Sequence, residues 1–533
     1  VSDLHRASTA LAAGTLVSRI TGLVRTIILV AAIGSIGPAG DAFATANQLP
    51  NNIFIIIQSG MLTAVIIPQI VQAAAHRDGG NEYISKLFTL ATTVFLAGTA
   101  IAIVLAPVLV FIYAKGFTPD QLALATAFAY WCLPQILFYG LYALVGETLN
   151  AKRIFGPYAW ATVVNNIISI IGFVAFIVMF GGNQTAVETW NPEMIAVLGA
   201  TATSGIVAQA GVLFFFWRRT GLKLRADFRW RGVGLGNVGK LASFTLFMAL
   251  TMQLSGLVQA TVVSEASGPY PSILMMQAAW IVFMLPYSIF ATSIGTPYFT
   301  QIAEHAAAGR NDEVRLDIGA CIRAVSFFIV VSMAGLAAAA VPASRIFTTS
   351  TDDAIMAAPV LLAYLVGLLS LSILFIIQRT FYAYDDTKSP LYFTLVQAGV
   401  LIAATIVAGF VVPLAHLAAA IALIQSVAIT IQVILAIWML RKRLGPLDMR
   451  ASTVSLLRYT VAAVPAGLAG WGAFLLLGGE TGWTTAEQIL GAVGTVIISI
   501  VTFCVYIAVL ALIRAPELSI ARGFLGKLLP NRG

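Results

Sequence analysis

Runs of about 18 or more apolar residues recur along almost the whole chain, each long enough to cross the ~30 Å hydrocarbon core of a bilayer. In lipid, every backbone N–H and C=O must find its partner within the protein, so only helices or closed β-barrels can span. Sustained alternation of period two is absent, which excludes the barrel. Composition agrees: 59% of the 533 residues are hydrophobic and 10% charged, against about a quarter charged in a soluble domain. The chain reads as an all-α polytopic membrane protein of about 14 transmembrane helices. The first two spans are read at 7–34 and 42–75, and the last two at 454–478 and 487–513.

The orientation follows from where lysine and arginine lie. With the N-terminus inside, the cytoplasmic segments hold 23 of the 30 cations. The loop after the sixth span alone carries Arg218, Arg219, Lys223, Arg225, Arg229, Arg231 and Lys240. The opposite side holds Lys115 and Arg345, while Arg19, Arg25, Arg323, Arg379 and Arg458 lie within or at the edges of spans. One missed helix would flip every later loop, so this asymmetry supports the span count and places both termini in the cytoplasm. The net charge of +8 is then a topology signal and gives no reason to expect nucleic acid. Basic cytoplasmic stretches should favour anionic lipid. A cleavable signal peptide is not expected, because the first apolar stretch is too long and holds two arginines. Cys132, Cys321 and Cys504 all fall in apolar runs, without disulfide or metal spacing.

The chain repeats itself weakly. Leu49-Pro50-Asn51-Asn52-Ile53-Phe54 in the second span is echoed by Leu285-Pro286-Tyr287-Ser288-Ile289-Phe290 in the eighth, each followed by a glycine, Gly60 or Gly295. A second echo joins the turn 150–157 to the turn 382–390. Both offsets correspond to six spans, an even number, so the copies share one membrane orientation. The expected organisation is an N-lobe over 1–222, a C-lobe over 223–445 with the basic linker at its start, and two extra spans with a tail over 446–533. That is two parallel six-helix lobes plus two C-terminal helices, an arrangement common in transporters, where two lobes expose a central site alternately.

The first span contains Ser18-Arg19-Ile20-Thr21-Gly22-Leu23-Val24-Arg25. An arginine in mid-span costs about 2.5–3.5 kcal/mol on insertion scales, so two in one helix need a compensating role. On an ideal helix they stand about 120° and ~9 Å apart. They line a hydrated cavity, form a structural ion pair, for instance with Asp41, or bond to a neighbouring carbonyl. Asp41 follows Gly37-Pro38-Ala39-Gly40 and suits a helix cap. Lys152 and Arg153 lie where the fourth span meets the cytoplasm, and Arg379 holds a similar place in the second half.

These segments resemble the MurJ/MviN family of lipid II flippases, in the multidrug/oligosaccharidyl-lipid/polysaccharide exporter superfamily. The carrying residues are the Ser18–Arg25 run, Asp41-Ala42-Phe43, Leu49-Pro50-Asn51, Leu149-Asn150 with Phe155, and Phe381-Tyr382-Ala383 with Asp386, Lys388 and Pro390. The resemblance implies a flippase of the cell inner (cytoplasmic) membrane. It would move lipid-linked peptidoglycan precursor outward by alternating access, serving cell-wall growth and cell shape. The implied substrate is a polyprenyl-pyrophosphate-linked glycan, among membrane lipids. The implied cavity residues are Arg19, Arg25 and Asp41; Lys152, Arg153 and Arg379 are this reading's own candidates for additional phosphate contacts. The last two helices would help form a groove for the polyprenyl tail. The chain departs from the family pattern at Phe54, Ile55, Trp280 and Ile281, near which better-known members carry arginines, so its cavity is expected to be less cationic.

Two rivals belong to the same class: a flippase for another polyprenyl-linked glycan, and a drug or cation antiporter, which would be expected to need acidic cavity residues. A lipid-processing enzyme would need clustered acids or histidines. His5, His76, His305 and His416 are scattered, and Asp385-Asp386 suits a turn, so no enzyme is expected. No cofactor or nucleotide loop is read, and the sequence does not name the energy source, a membrane potential or ion gradient being the candidates.

Overall fold

The computed structural model describes residues 2–59, 81–152, 154, 156–229, 239–447, 450–516 and 518, with backbone alone for 2–13, 16 and 239–242. Among these residues there is no strand. Twelve helices among the described residues, from Asn81–Val104 to Gln488–Leu512, are long and apolar enough to cross a membrane. Helices Ser2–Ile33 and Pro38–Ile57 precede them, so the helices follow the order of the spans read from sequence. Residues 60–75 of the second span, Gly60 included, lie outside the described residues.

Local chemistry sets the helix starts. Thr118 accepts the Gln121 N–H at 3.3 Å and Asn191 accepts the Met194 N–H at 2.8 Å, each just before a proline that opens the helix. Ser350 does the same for Asp353 at 3.0 Å. Prolines within spans differ in effect. Pro134 falls in a break between Pro119–Cys132 and Gln135–Ala151. Pro286 ends helix Ile273–Pro286 and is followed by a π turn over Tyr287–Ala291, since its ring leaves no N–H for the carbonyl a turn earlier. Pro50 sits in the unbroken helix Pro38–Ile57.

The chain divides into two compact units, Val1–Leu274 and Met275–Gly533. In the first, Ser2–Ile33 packs on Gly156–Phe180, which packs in turn on Pro192–Trp217, while Pro38–Ile57 packs on Pro119–Cys132. A Cβ at Gly146 would lie 2.2 Å from the Tyr158 ring, so this glycine lets two helices approach where nothing larger fits.

In the second unit, the last two spans close onto Asn311–Ala338. Phe327, Tyr459 and Tyr506 are fully buried there, with both tyrosine rings edge-on to Phe327 at 5.6 Å. The Tyr506 hydroxyl donates to the Phe327 carbonyl at 3.3 Å, which satisfies a polar group that lipid would leave unpaired. Val178, Phe410 and Leu476 stand exposed, as side chains facing lipid do.

Candidate functional site

A polar side chain helps to fasten the first helix. Asn166 Nδ2, on Gly156–Phe180, donates at 3.0 Å to both the Ser18 carbonyl and the Thr21 hydroxyl. The Thr21 hydroxyl itself donates back to the Val17 carbonyl at 2.9 Å. Helix Ser2–Ile33 runs unbroken through Gly22. Arg19 is exposed and Arg25 half-buried. Among the described residues neither makes an ion pair with an acid.

The Arg25 guanidinium interacts electrostatically with Tyr139, whose ring stacks on Phe54 at 5.5 Å. Phe54 in turn lies 5.9 Å from Phe95. Phe54 is therefore part of an aromatic cluster with Tyr139 and Phe95. In the second unit Trp280 packs edge-on to Tyr364 at 5.3 Å.

Asp41 is buried and turned elsewhere. One carboxylate oxygen accepts the Ser267 hydroxyl at 2.7 Å and the other the Leu274 N–H at 2.8 Å. Gln121 Nε2 donates to the Ser267 hydroxyl and to the Pro38 carbonyl, both at 2.8 Å. Asp41 does not cap its own helix, which Gly37 precedes with no side-chain bond. It serves the first turn of Ile273–Pro286 instead.

The remaining sequence candidates are dispersed. Lys152 follows helix Gln135–Ala151, its N–H donating to the Thr148 carbonyl at 3.1 Å. Arg153 lies outside the described residues. Arg379 is held by ring faces, with its guanidinium 4.5 Å from the Phe375 centroid and 5.1 Å from that of Phe299. Arg345, read from sequence as an outer-loop cation, is buried and donates to the carbonyls of Thr348, Thr485 and Ala486.

The second unit also carries an apolar cleft of about 390 Å³. Val282, Leu285 and Phe290 form one wall, Phe328 and Val331 another, and Val496, Ile500 and Phe503 of the last span a third. Its few polar groups are hydroxyls, Ser332, Thr495 and Ser499. The first unit thus carries Arg19 and Arg25 on its first helix, and the second carries a mainly apolar cleft beside its last span.

A polytopic helical bundle with these features is a membrane transporter by class. Residues 29–513 match the family described as Lipid II flippase MurJ, and the chain belongs to that family. Arg19 and Arg25 precede the matched residues. A probable lipid II flippase MurJ of Haemophilus influenzae is 25% identical, covering 86% of this chain and 90% of the relative. One from Synechocystis is 24% identical over 96% of this chain and 94% of its own. Among solved structures, a lipid II flippase MurJ in an inward closed conformation has a TM-score of 0.71 at 20% identity, covering 92% of this chain and 97% of that one. An inward-facing multidrug resistance MATE family transporter reaches 0.62 at 14% identity, over 81% of this chain. Both likenesses concern the fold.

Proposed function

We propose that this protein translocates lipid II, the lipid-linked peptidoglycan precursor, across the cytoplasmic membrane by alternating access. The observation that carries this reading is Arg25. A guanidinium within a span, with no acid partner among the described residues, must be compensated, and an anionic substrate can compensate it. Arginine suits pyrophosphate because its planar, permanently charged fork donates to two oxygens at once. Arg19 and Arg25 are the proposed phosphate contacts, with Lys152, Arg153 and Arg379 as secondary ones. Asp41 contributes by holding the architecture around Leu274. The apolar cleft along the last span is the proposed seat of the polyprenyl tail, whose burial is worth about 0.8 kcal/mol per CH₂.

In this reading both termini are cytoplasmic. Residues 1–222 and 223–445 act as the two lobes, 446–533 supplies the extra spans, and a membrane potential or ion gradient drives the cycle. The test is translocation of lipid II in cells depleted of their own flippase, with and without membrane potential. Restored translocation supports the proposal. Failure at normal abundance, with transport of a different polyprenyl-linked glycan or of a cationic drug, would sink it.

A further inference from the structure

The segment after helix Pro192–Trp217 is extended, and its own backbone fastens it along helix Asn81–Val104. The Lys223 N–H donates to Asn81 Oδ1 at 2.9 Å, the Arg225 N–H to the Ser85 hydroxyl at 3.3 Å, and the Asp227 N–H to the Thr89 hydroxyl at 3.0 Å. The acceptors recur every fourth residue and so share one helix face. The donors recur every second residue and so share one edge of the extended chain. Four helical residues rise about 6 Å and two extended residues about 6.6 Å, so the two repeats stay in step across three bonds. Upstream, Leu222 is buried and its carbonyl accepts the Trp217 indole N–H at 3.1 Å, which fixes where the strap begins.

The same period of two sorts the side chains. Lys223, Arg225, Asp227 and Arg229 fall on one side, and Leu222, Leu224, Ala226 and Phe228 on the other. Arg229 is paired with Asp227 at 3.0 Å, and its hydrogen bonds to that carboxyl hold it down to about 2. Lys86 is paired with Glu82 at 2.8 Å. Lys223 and Arg225 are exposed, and among the described residues they make no ion pair. With Asn81, Glu82 and Ser85 they line a recess of about 760 Å³ at the end of the Asn81–Val104 span.

We propose that this strap is a binding site for an anionic, phosphate-bearing lipid headgroup, with Lys223 and Arg225 as its contacts and Asn81, Ser85 and Thr89 as positioning residues. The ammonium supplies a point charge and the guanidinium a two-pronged donor, held about 6.6 Å apart by the extended backbone. The first turn of a span lies at headgroup depth, where cations meet lipid phosphates. The phosphate can come from a resident anionic phospholipid or from a polyprenyl pyrophosphate. The site stands whether or not Arg19 and Arg25 serve as proposed above.

The experiment measures binding of dioctanoyl phosphatidylglycerol, farnesyl pyrophosphate, inorganic pyrophosphate and dioctanoyl phosphatidylcholine to the purified full chain in neutral detergent. K223Q/R225Q is expected to weaken binding of the anionic lipids about thirty-fold, some five-fold per cation, and to leave phosphatidylcholine unchanged. S85A/T89A keeps both charges and loosens the strap, so a loss of a few-fold is expected for the same ligands. Loss confined to phosphatidylglycerol assigns the phosphate to the bilayer; loss confined to farnesyl pyrophosphate assigns it to a polyprenyl lipid. Unchanged binding of both lipids to a folded K223Q/R225Q protein overturns the site. So does inorganic pyrophosphate binding as tightly as the lipid pyrophosphate, which would mean a site for free anions.

Discussion

The carboxylate of Asp41 accepts the backbone N–H of Leu274 at 2.8 Å, tying together residues 233 apart in the chain. The helix N-terminus supplies an orphan donor and the aspartate satisfies it, so the bond also suits the local dipole. Asp41→Asn keeps the shape but turns an NH₂ toward one of two donors, the Leu274 N–H or the Ser267 hydroxyl. Leaving one buried donor unmet costs about 1–3 kcal/mol. The expected outcome is a lower unfolding midpoint in detergent, with Asp41→Ala lower still and transport falling alongside stability. Lost transport at undiminished stability would instead make Asp41 a direct substrate contact.

Removing Arg25 should have the opposite relation between abundance and activity. An arginine in mid-span opposes insertion by about 2.5–3.5 kcal/mol, so Arg25→Ala should insert at least as well as the parent chain. Complementation at normal expression should nevertheless fail, with translocation reduced tenfold or more. Arg25→Lys keeps the charge and loses the planar fork, so partial activity is expected. Full rescue by Arg25→Ala would leave the proposed cavity chemistry without its principal residue.

Most of the fold was legible because each apolar run carries its own evidence: its length gives a span. Arg19 and Arg25 were legible for a related reason, since a charge in lipid is costly wherever it sits. Their surroundings were not. Tyr139 beside Arg25 is one aromatic among many in apolar runs, and only the fold places it there. Asp41 read as a cap or a partner for arginine because its true partners, Ser267 and Leu274, lie over two hundred residues away. The histidines read as scattered, yet His305 stands 2.7 Å from Asp317 and 3.0 Å from Glu313 once two helices fold back on each other. A further signal is local: the alternation from Leu222 to Arg229 marks an extended strap, within a run whose cations also bear on topology.

The turn between Leu368–Ala383 and Lys388–Val411 should show a defined pH dependence. Burial alone would raise the Asp386 carboxyl. The N–H and hydroxyl of Ser389, the Arg443 guanidinium 2.8 Å away and the Lys388 N–H outweigh it, holding the group below the usual carboxylate range. A depressed folded value means the stabilising contribution is complete above the ordinary value near pH 4 and is lost as pH falls through the folded one. Asp386→Asn should therefore destabilise at neutral pH by about 1–2 kcal/mol. Its unfolding midpoint should converge with that of the parent chain as pH falls through the depressed folded value. A gap between the two that persists unchanged at low pH would show that ionisation of Asp386 is not what stabilises the turn.

The cleft along the last span offers a test that separates the lipid tail from the headgroup. Ser332 and Ser499 both line it, so Ser332→Trp or Ser499→Trp would fill apolar space without touching Arg19 or Arg25. If the tail lies there, a long polyprenyl chain loses contact area worth about 0.8 kcal/mol for each CH₂ displaced, whereas a short chain has little to lose. Either variant should then slow translocation of the full-length substrate tenfold or more, and that of a farnesyl-chain analogue much less. Because the indole would enter existing space, the unfolding midpoint should stay near that of the parent chain. Equal rates for both chain lengths in a stable, cleft-filled variant would place the tail elsewhere and leave the cleft as packing between Asn311–Ala338 and Gln488–Leu512.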